Sequence, residues 1–168
     1  MACPLGSNYT PKDCLTTAGV KSWLITPFSN VTGSIVSSNV VTAITKTVAF
    51  KTYAQQAETS TWTYTGDGTQ ANGAYAYDWE ATIKTFGLET ADQVEFELLI
   101  KNKLLLIAEM NDGTYWMLGR DYGSNAVNDA FVAGTAFNDY QGDTIVIKGR
   151  SKTKALKVDS TIIAGLLS

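Results

Sequence analysis

The 168-residue chain has no histidine, two cysteines and three prolines, and no apolar run approaching the ~20 residues of a bilayer-spanning helix. The missing histidine removes the Ser-His-Asp and Cys-His catalytic arrangements and every His-containing zinc site. Cys3 and Cys14 are too few for a disulfide framework or a four-Cys metal site. Scarce proline in a chain that is 45% hydrophobic excludes collagen-like and low-complexity classes. The start MACPLGSNYTPKDC has no apolar stretch for a secretory signal or for a lipoprotein anchor on Cys3, so a protein made and kept in a cytoplasm, or assembled there, is expected. A formal net charge of -3 argues against a general nucleic-acid binder, which needs a net basic surface to displace phosphate counterions. One domain of this length buries roughly 70% of its unfolded surface and needs no metal or disulfide to do so.

Threonine dominates what is present: 22 residues, set beside valine, isoleucine, tyrosine and tryptophan, the types that suit a pleated surface. Val20 to Thr26 reads as a strand stopped by Pro27, Val31 to Val36 as a short second one, and Asn39 to Ala54 as one or two more. Glu58 to Thr65 follows, and GDGTQANGA supplies turn chemistry after it. Tyr75 to Phe86 alternates strictly. Tyr75, Tyr77, Trp79, Ala81 and Ile83 fall on one side and Ala76, Asp78, Glu80, Thr82 and Lys84 on the other, which predicts a strand wet on one face.

At Thr90 the period changes. Thr90 followed by Gln93 matches a capping box, and Val94, Glu97, Leu98 and Lys101 have helical spacing, predicting one helix over about 91–102 that covers the sheet with Val94, Leu98 and Leu99. Asn111, Asp112 and Gly113 form the strongest hairpin signal, between Leu104 to Met110 and Thr114 to Leu118. Residues 120–142, rich in Gly, Asn and Asp, read as a loop too long for a passive connection. Asp143 to Arg150 and Lys152 to Asp159 close the chain as strands before the apolar tail STIIAGLLS. With an extended arm over about 1–19, the order predicts a single mainly β domain, 1–168: an antiparallel sandwich or barrel with one lateral helix. Alternating βαβ units, a G-x-G-x-x-G fingerprint and a P-loop are missing, which counts against Rossmann-type and TIM-barrel enzymes.

Four groups of residues invite chemistry. Asp112, Asp121, Asn125, Asn128, Asp129, Asn138, Asp139 and Asp143 could offer oxygens to Ca²⁺, but they match no calcium-loop spacing and are good turn formers. Asp78, Glu80 and Glu89, with Tyr77 and Trp79 as sugar platforms, could serve a carboxylate hydrolase; carboxylates at i and i+2 read more simply as the wet face of a strand. No catalytic residue, metal or cofactor is assigned, and a non-enzyme is expected. Lys148, Arg150, Lys152 and Lys154 recur every second residue, so an extended segment projects them from one face, with Lys157 beyond. Those five belong to 13 basic residues set against 16 acidic ones, so the rest of the chain is strongly acidic. Such a stripe either guards an edge or meets the acidic surface of a second copy; nucleic acid is disfavoured because no aromatic residue interleaves with it. Tyr115 and Trp116 suit core packing, whereas Phe131, Phe137 and Tyr140 in the loop are hard to hide in one subunit and predict surfaces completed by neighbouring chains.

The stretch YWMLGRDYGSNAVNDAFVAGTAFNDYQGDTIVIKGRSK, Tyr115 to Lys152, resembles the C-terminal part of a family of tailed-phage virion proteins. It has a strand ending in LG, a Gly-rich loop, a small-residue G-T-A segment, an aromatic-acidic turn and a last strand ending in a Gly-basic step. The V-T turn at Val31 and Thr32, the strand-helix unit ending IKNKLLLIAEMNDGTYW and the V-D-S-x-I-I tail from Val158 to Ile163 extend the likeness over most of the chain. These proteins resemble the β-barrel tube subunits of phage tails and of type VI secretion. The resemblance implies rings, commonly hexameric, stacked into a hollow conduit that passes DNA without specific binding, a hairpin and loop reaching the next ring, and no membrane partner. It leaves open a main tube subunit, a tail terminator, a head-tail connector or a capsid decoration protein; a carbohydrate-binding β module is the alternative of another class. On this reading the chain belongs to a virion assembled in the host cytoplasm, with itself and other virion proteins as partners. Subunit contacts are then expected at Lys148, Arg150, Lys152, Lys154, Phe131, Phe137 and Tyr140. Glu58, Asp78 and Glu80 are the expected lumen residues, where acidic charge keeps phosphate from sticking.

Overall fold

A computed structural model describes Tyr9 and residues 17–69, 71, 73–87 and 89–168; the arm expected over 1–19 lies almost wholly outside the described residues. The chain is mainly β, as its threonine, valine and aromatic content requires, with two short helices. Its central strand is β7 (Leu104–Met110), in which Leu104, Leu105, Leu106, Ile107 and Ala108 are all buried. An unbroken apolar run of this kind is what a strand covered on both faces demands. Leu104, Leu106 and Ala108 pack into one core with Trp23, Trp79, Ile83, Ile145 and Ile147. Leu105 and Ile107 point the other way, into a second core with Leu24, Val41, Phe50, Met117 and Val158.

One edge of β7 pairs with β1 (Val20–Pro27), which pairs in turn with β4 (Lys51–Ala54). At the other edge the sheet forks. One branch runs through β8 (Tyr115–Leu118), β11 (Leu156–Val158) and β3 (Val40–Lys46) to β2 (Val31–Ser37). The second leaves at Leu104, opposite Ser124 of β9 (Ser124–Val132), and continues through β10 (Gly142–Ser151) and β6 (Ala74–Lys84) to β5 (Thr61–Thr69). All pairings are antiparallel except β11 with β3, and the sheet does not close into a barrel. Among the described residues β2, β4 and β5 each pair along one edge only.

Helix α1 (Thr90–Lys101) starts one residue early, because the Asp92 carboxylate accepts the Glu89 backbone N–H at 3.4 Å and the cap is formed by Glu89 and Asp92 instead of Thr90 and Gln93. It buries Phe96 and Leu99, whereas Val94 and Leu98, expected to face the sheet, are exposed. The apolar tail supplies a second helix, α2 (Ile163–Leu167), whose Ile163 and Leu166 close the second core.

Three expectations are corrected. The long loop of 120–142 contains β9, a strand hydrogen-bonded to β10 with a bulge at Val127 and exposed along most of its length, so only 120–123 and 133–141 remain as connections. The strand expected from Lys152 to Asp159 is limited to Leu156–Val158. The strand expected from Glu58 begins at Thr61, and Glu58 itself sits in a left-handed turn with φ 63°.

Candidate functional site

One face of the β5–β6–β10–β9 branch is polar. Alternation sends Ala81, Ile83, Ile145 and Ile147 to the core, and the intervening residues outward. Threonines 61, 63 and 65 of β5 therefore stand beside Thr82, Glu80 and Asp78 of β6, followed by Lys148 and Arg150 of β10 and Asn125 of β9. Val146 is the apolar exception.

Register decides the electrostatics of this face. Lys148 lies opposite Glu80 and Arg150 opposite Asp78. Lys148 Nζ is 2.7 Å from Glu80 Oε2, and Arg150 grips Asp78 through both Nε (2.5 Å) and Nη2 (2.9 Å). The Arg150 guanidinium holds the Asp78 carboxyl below its ordinary value, and Asp78 in return raises Arg150. Between the pairs lies a shallow depression of about 470 Å³ bordered by Thr63, Thr65 and Gly149. Two features read separately in the sequence, a basic stripe for contact in trans and carboxylates for a bare acidic lumen, are thus partners in cis.

The remaining candidates are scattered. Lys152 and Lys154 lie beyond β10, where the extended alternation has ended. The Lys152 backbone N–H donates to Asp121, and its ammonium stands 5.5 Å from the Tyr122 ring centroid; Lys157 stands 5.3 Å from that of Trp116. The fold brings to Lys152 and Lys157 aromatic residues that the basic run itself does not contain. Glu58 is off the polar face, and Glu89 caps α1. The carboxylates considered for calcium serve turns or one another: Asp112 accepts from Thr114, and Asp139 from the backbone of Thr135 and Ala136. Asp143 is buried, and burial first, then the charge and hydrogen bond of Asp129, push its carboxyl above its ordinary value.

The three loop aromatics separate as well. Phe131 lies on β9, lining a groove with Phe96, Ile100 and Asp143. Tyr140 is tied inward by its hydroxyl, which lies 2.9 Å from the Thr85 carbonyl oxygen and 2.8 Å from that of Asp143. Phe137 alone is wholly uncovered.

Sequence reasoning missed a row of rings, Trp116, Trp62, Tyr64, Tyr77 and Tyr75, with successive centroids 5.8, 6.1, 6.0 and 5.2 Å apart. Alternation put Trp62 with Tyr64 and Tyr75 with Tyr77, but only the β5–β6 register joins the pairs. At its outer end the Tyr75 ring covers Gly66, where a Cβ would come within 2.1 Å of the Tyr75 hydroxyl oxygen. No family model, curated protein or solved structure is significantly similar to the chain.

Proposed function

We propose that the chain is a structural subunit of a phage virion, a tail-tube-type protein that joins copies of itself into stacked rings around a conduit for DNA. The observation that carries this reading is the β5–β6–β10–β9 sheet, polar over one face and, among the described residues, ending at β5 with β6 as that strand's one ladder partner. Along residues 61–68 of β5, with Asp67 as the single charge, such an edge is a template for another strand, and a neighbouring copy can continue the ladder. Threonine hydroxyls and carboxylates matched by Lys148 and Arg150 offer no net cationic grip on phosphate, which suits a wall that passes DNA without holding it. The β2 edge supports the same reading, since Ile35 on it is 64% exposed.

Negative-stain microscopy of the purified chain tests this directly: rings or tubes are expected, and a monomer at every concentration contradicts it. A carbohydrate-binding module is favoured by one observation, the exposure of Tyr64 and Tyr75 within the ring row. That reading requires a monomer whose tryptophan fluorescence responds to glycan polymers and stops responding after Tyr75→Ala.

A further inference from the structure

The connection between β9 and β10, residues 133–141, is braced internally and carries a bare phenyl ring. Asp139 Oδ2 accepts the backbone N–H groups of Thr135 and Ala136, each at 2.8 Å. Tyr140 is fixed by its hydroxyl contacts to Thr85 and Asp143 and packs edge-on against Phe86 at 5.2 Å. Gly134 takes a left-handed φ of 74°, and a Cβ there would stand 2.9 Å from the Asp139 side chain, so the tight return needs glycine. Held by these bonds, the loop presents Phe137 at 114% of its reference exposure. A loop braced before docking has already lost part of the backbone entropy that docking would cost.

The same molecule carries an apolar groove. Ile25, Pro27, Val48, Leu98, Leu99 and Leu104 line a space of about 220 Å³ along the C-terminal half of α1. Val48 and Leu98 leave it half-open to solvent. Thr26 borders it too, 1% exposed, with a hydroxyl that has no hydrogen-bond partner among the described residues. Lys51 and Glu95 both stand in its lining, and Glu95 is occupied within the subunit, accepting the Tyr53 hydroxyl at 3.0 Å.

Phe137 cannot fill its own groove. β9 carries the chain from Ser124, opposite Leu104 of the groove, to Val132 at the loop, a run of roughly 26 Å at the strand rise. The loop end is moored there by the Gly87 N–H to the Gln141 carbonyl oxygen, near the opposite end of α1.

We propose that the Phe137 loop of one copy docks into the α1 groove of the next, with Asp139 meeting Lys51. The contact rests on the self-assembly reading and refines it. Because knob and groove are different surfaces, the association is head-to-tail and propagates as a ring or a stack.

The test is photocross-linking of the full chain carrying benzoylphenylalanine at position 137, with adducts mapped by mass spectrometry. Adducts are expected between copies, on peptides covering 25–27, 48–51 or 95–104. Phe137→Ala, which removes no contact within the subunit, is expected to leave the monomer's melting temperature unchanged and to raise the concentration needed for assembly by about tenfold; Leu98→Arg is expected to act alike. Rings or tubes whose adducts lie elsewhere, or are absent, overturn this contact and leave self-assembly standing. A chain that stays monomeric overturns both.

Discussion

Gly149 lies opposite Trp79 in the β10–β6 ladder, and the indole lies against it so closely that a Cβ would stand 2.6 Å from Cζ2 and 2.8 Å from Nε1. Trp79 is buried and cannot swing aside, so Gly149→Ala is expected to cost about 1–3 kcal/mol in urea unfolding with no change in slope. Two carboxyls act with opposite sign. Burial opposes the charge on Glu109, but Lys21 and the Ser22 hydroxyl outweigh it and hold the carboxyl below its ordinary value, so its stabilisation is lost as pH falls through that folded value. Asp143 is held above its ordinary value, so it weakens the fold when ionised, and the penalty fades as pH falls through its raised folded pKa. Asp143→Asn is therefore expected to raise the melting temperature at neutral pH, with a gain that shrinks toward about pH 4, the unfolded carboxyl value. A gain that does not change with pH would show that ionisation is not the cause. The facing of Asp78 and Glu80 with Arg150 and Lys148 could not be read from the chain, because each run alternates visibly but their register depends on residues some seventy positions apart.

At the scale of elements, α1 is held by Phe96 and Leu99, with Phe96 meeting Tyr53 at 6.2 Å between ring centroids. Phe96→Ala is expected to cost about 3 kcal/mol in thermal or urea unfolding, and Val94→Ala less than about 0.5 kcal/mol. Equal losses would show that the helix is not anchored on one side. The period of α1 was legible but its inward stripe was not, since Val94 with Leu98 and Phe96 with Leu99 both have helical spacing. Strand β9 was illegible for a different reason. Its exposed Asn125, Asn128 and Asp129 carry the composition of a loop, and it is a strand because β10 supplies its hydrogen bonds. Strands β1, β3, β6, β7 and β8 were legible because burial of one or both faces writes itself into the residue pattern.

At the scale of the molecule, the mainly β class followed from composition, whereas the fork at β7 and the two cores arise from contacts far apart in the chain. The open edges give the assembly account a handle: Ile35→Lys puts a charge on the exposed β2 edge and is expected to suppress assembly while leaving the circular dichroism of the monomer intact. Reversing Lys148 or Arg150 is a poorer probe, because it sets like charges against Glu80 or Asp78 within the same subunit. Electron cryo-microscopy of the concentrated, purified chain tests the central claim most directly. The account predicts rings or tubes whose inner wall carries Thr63, Asp78, Glu80, Lys148 and Arg150; a stable monomer, or an assembly with that face buried between subunits, would contradict it.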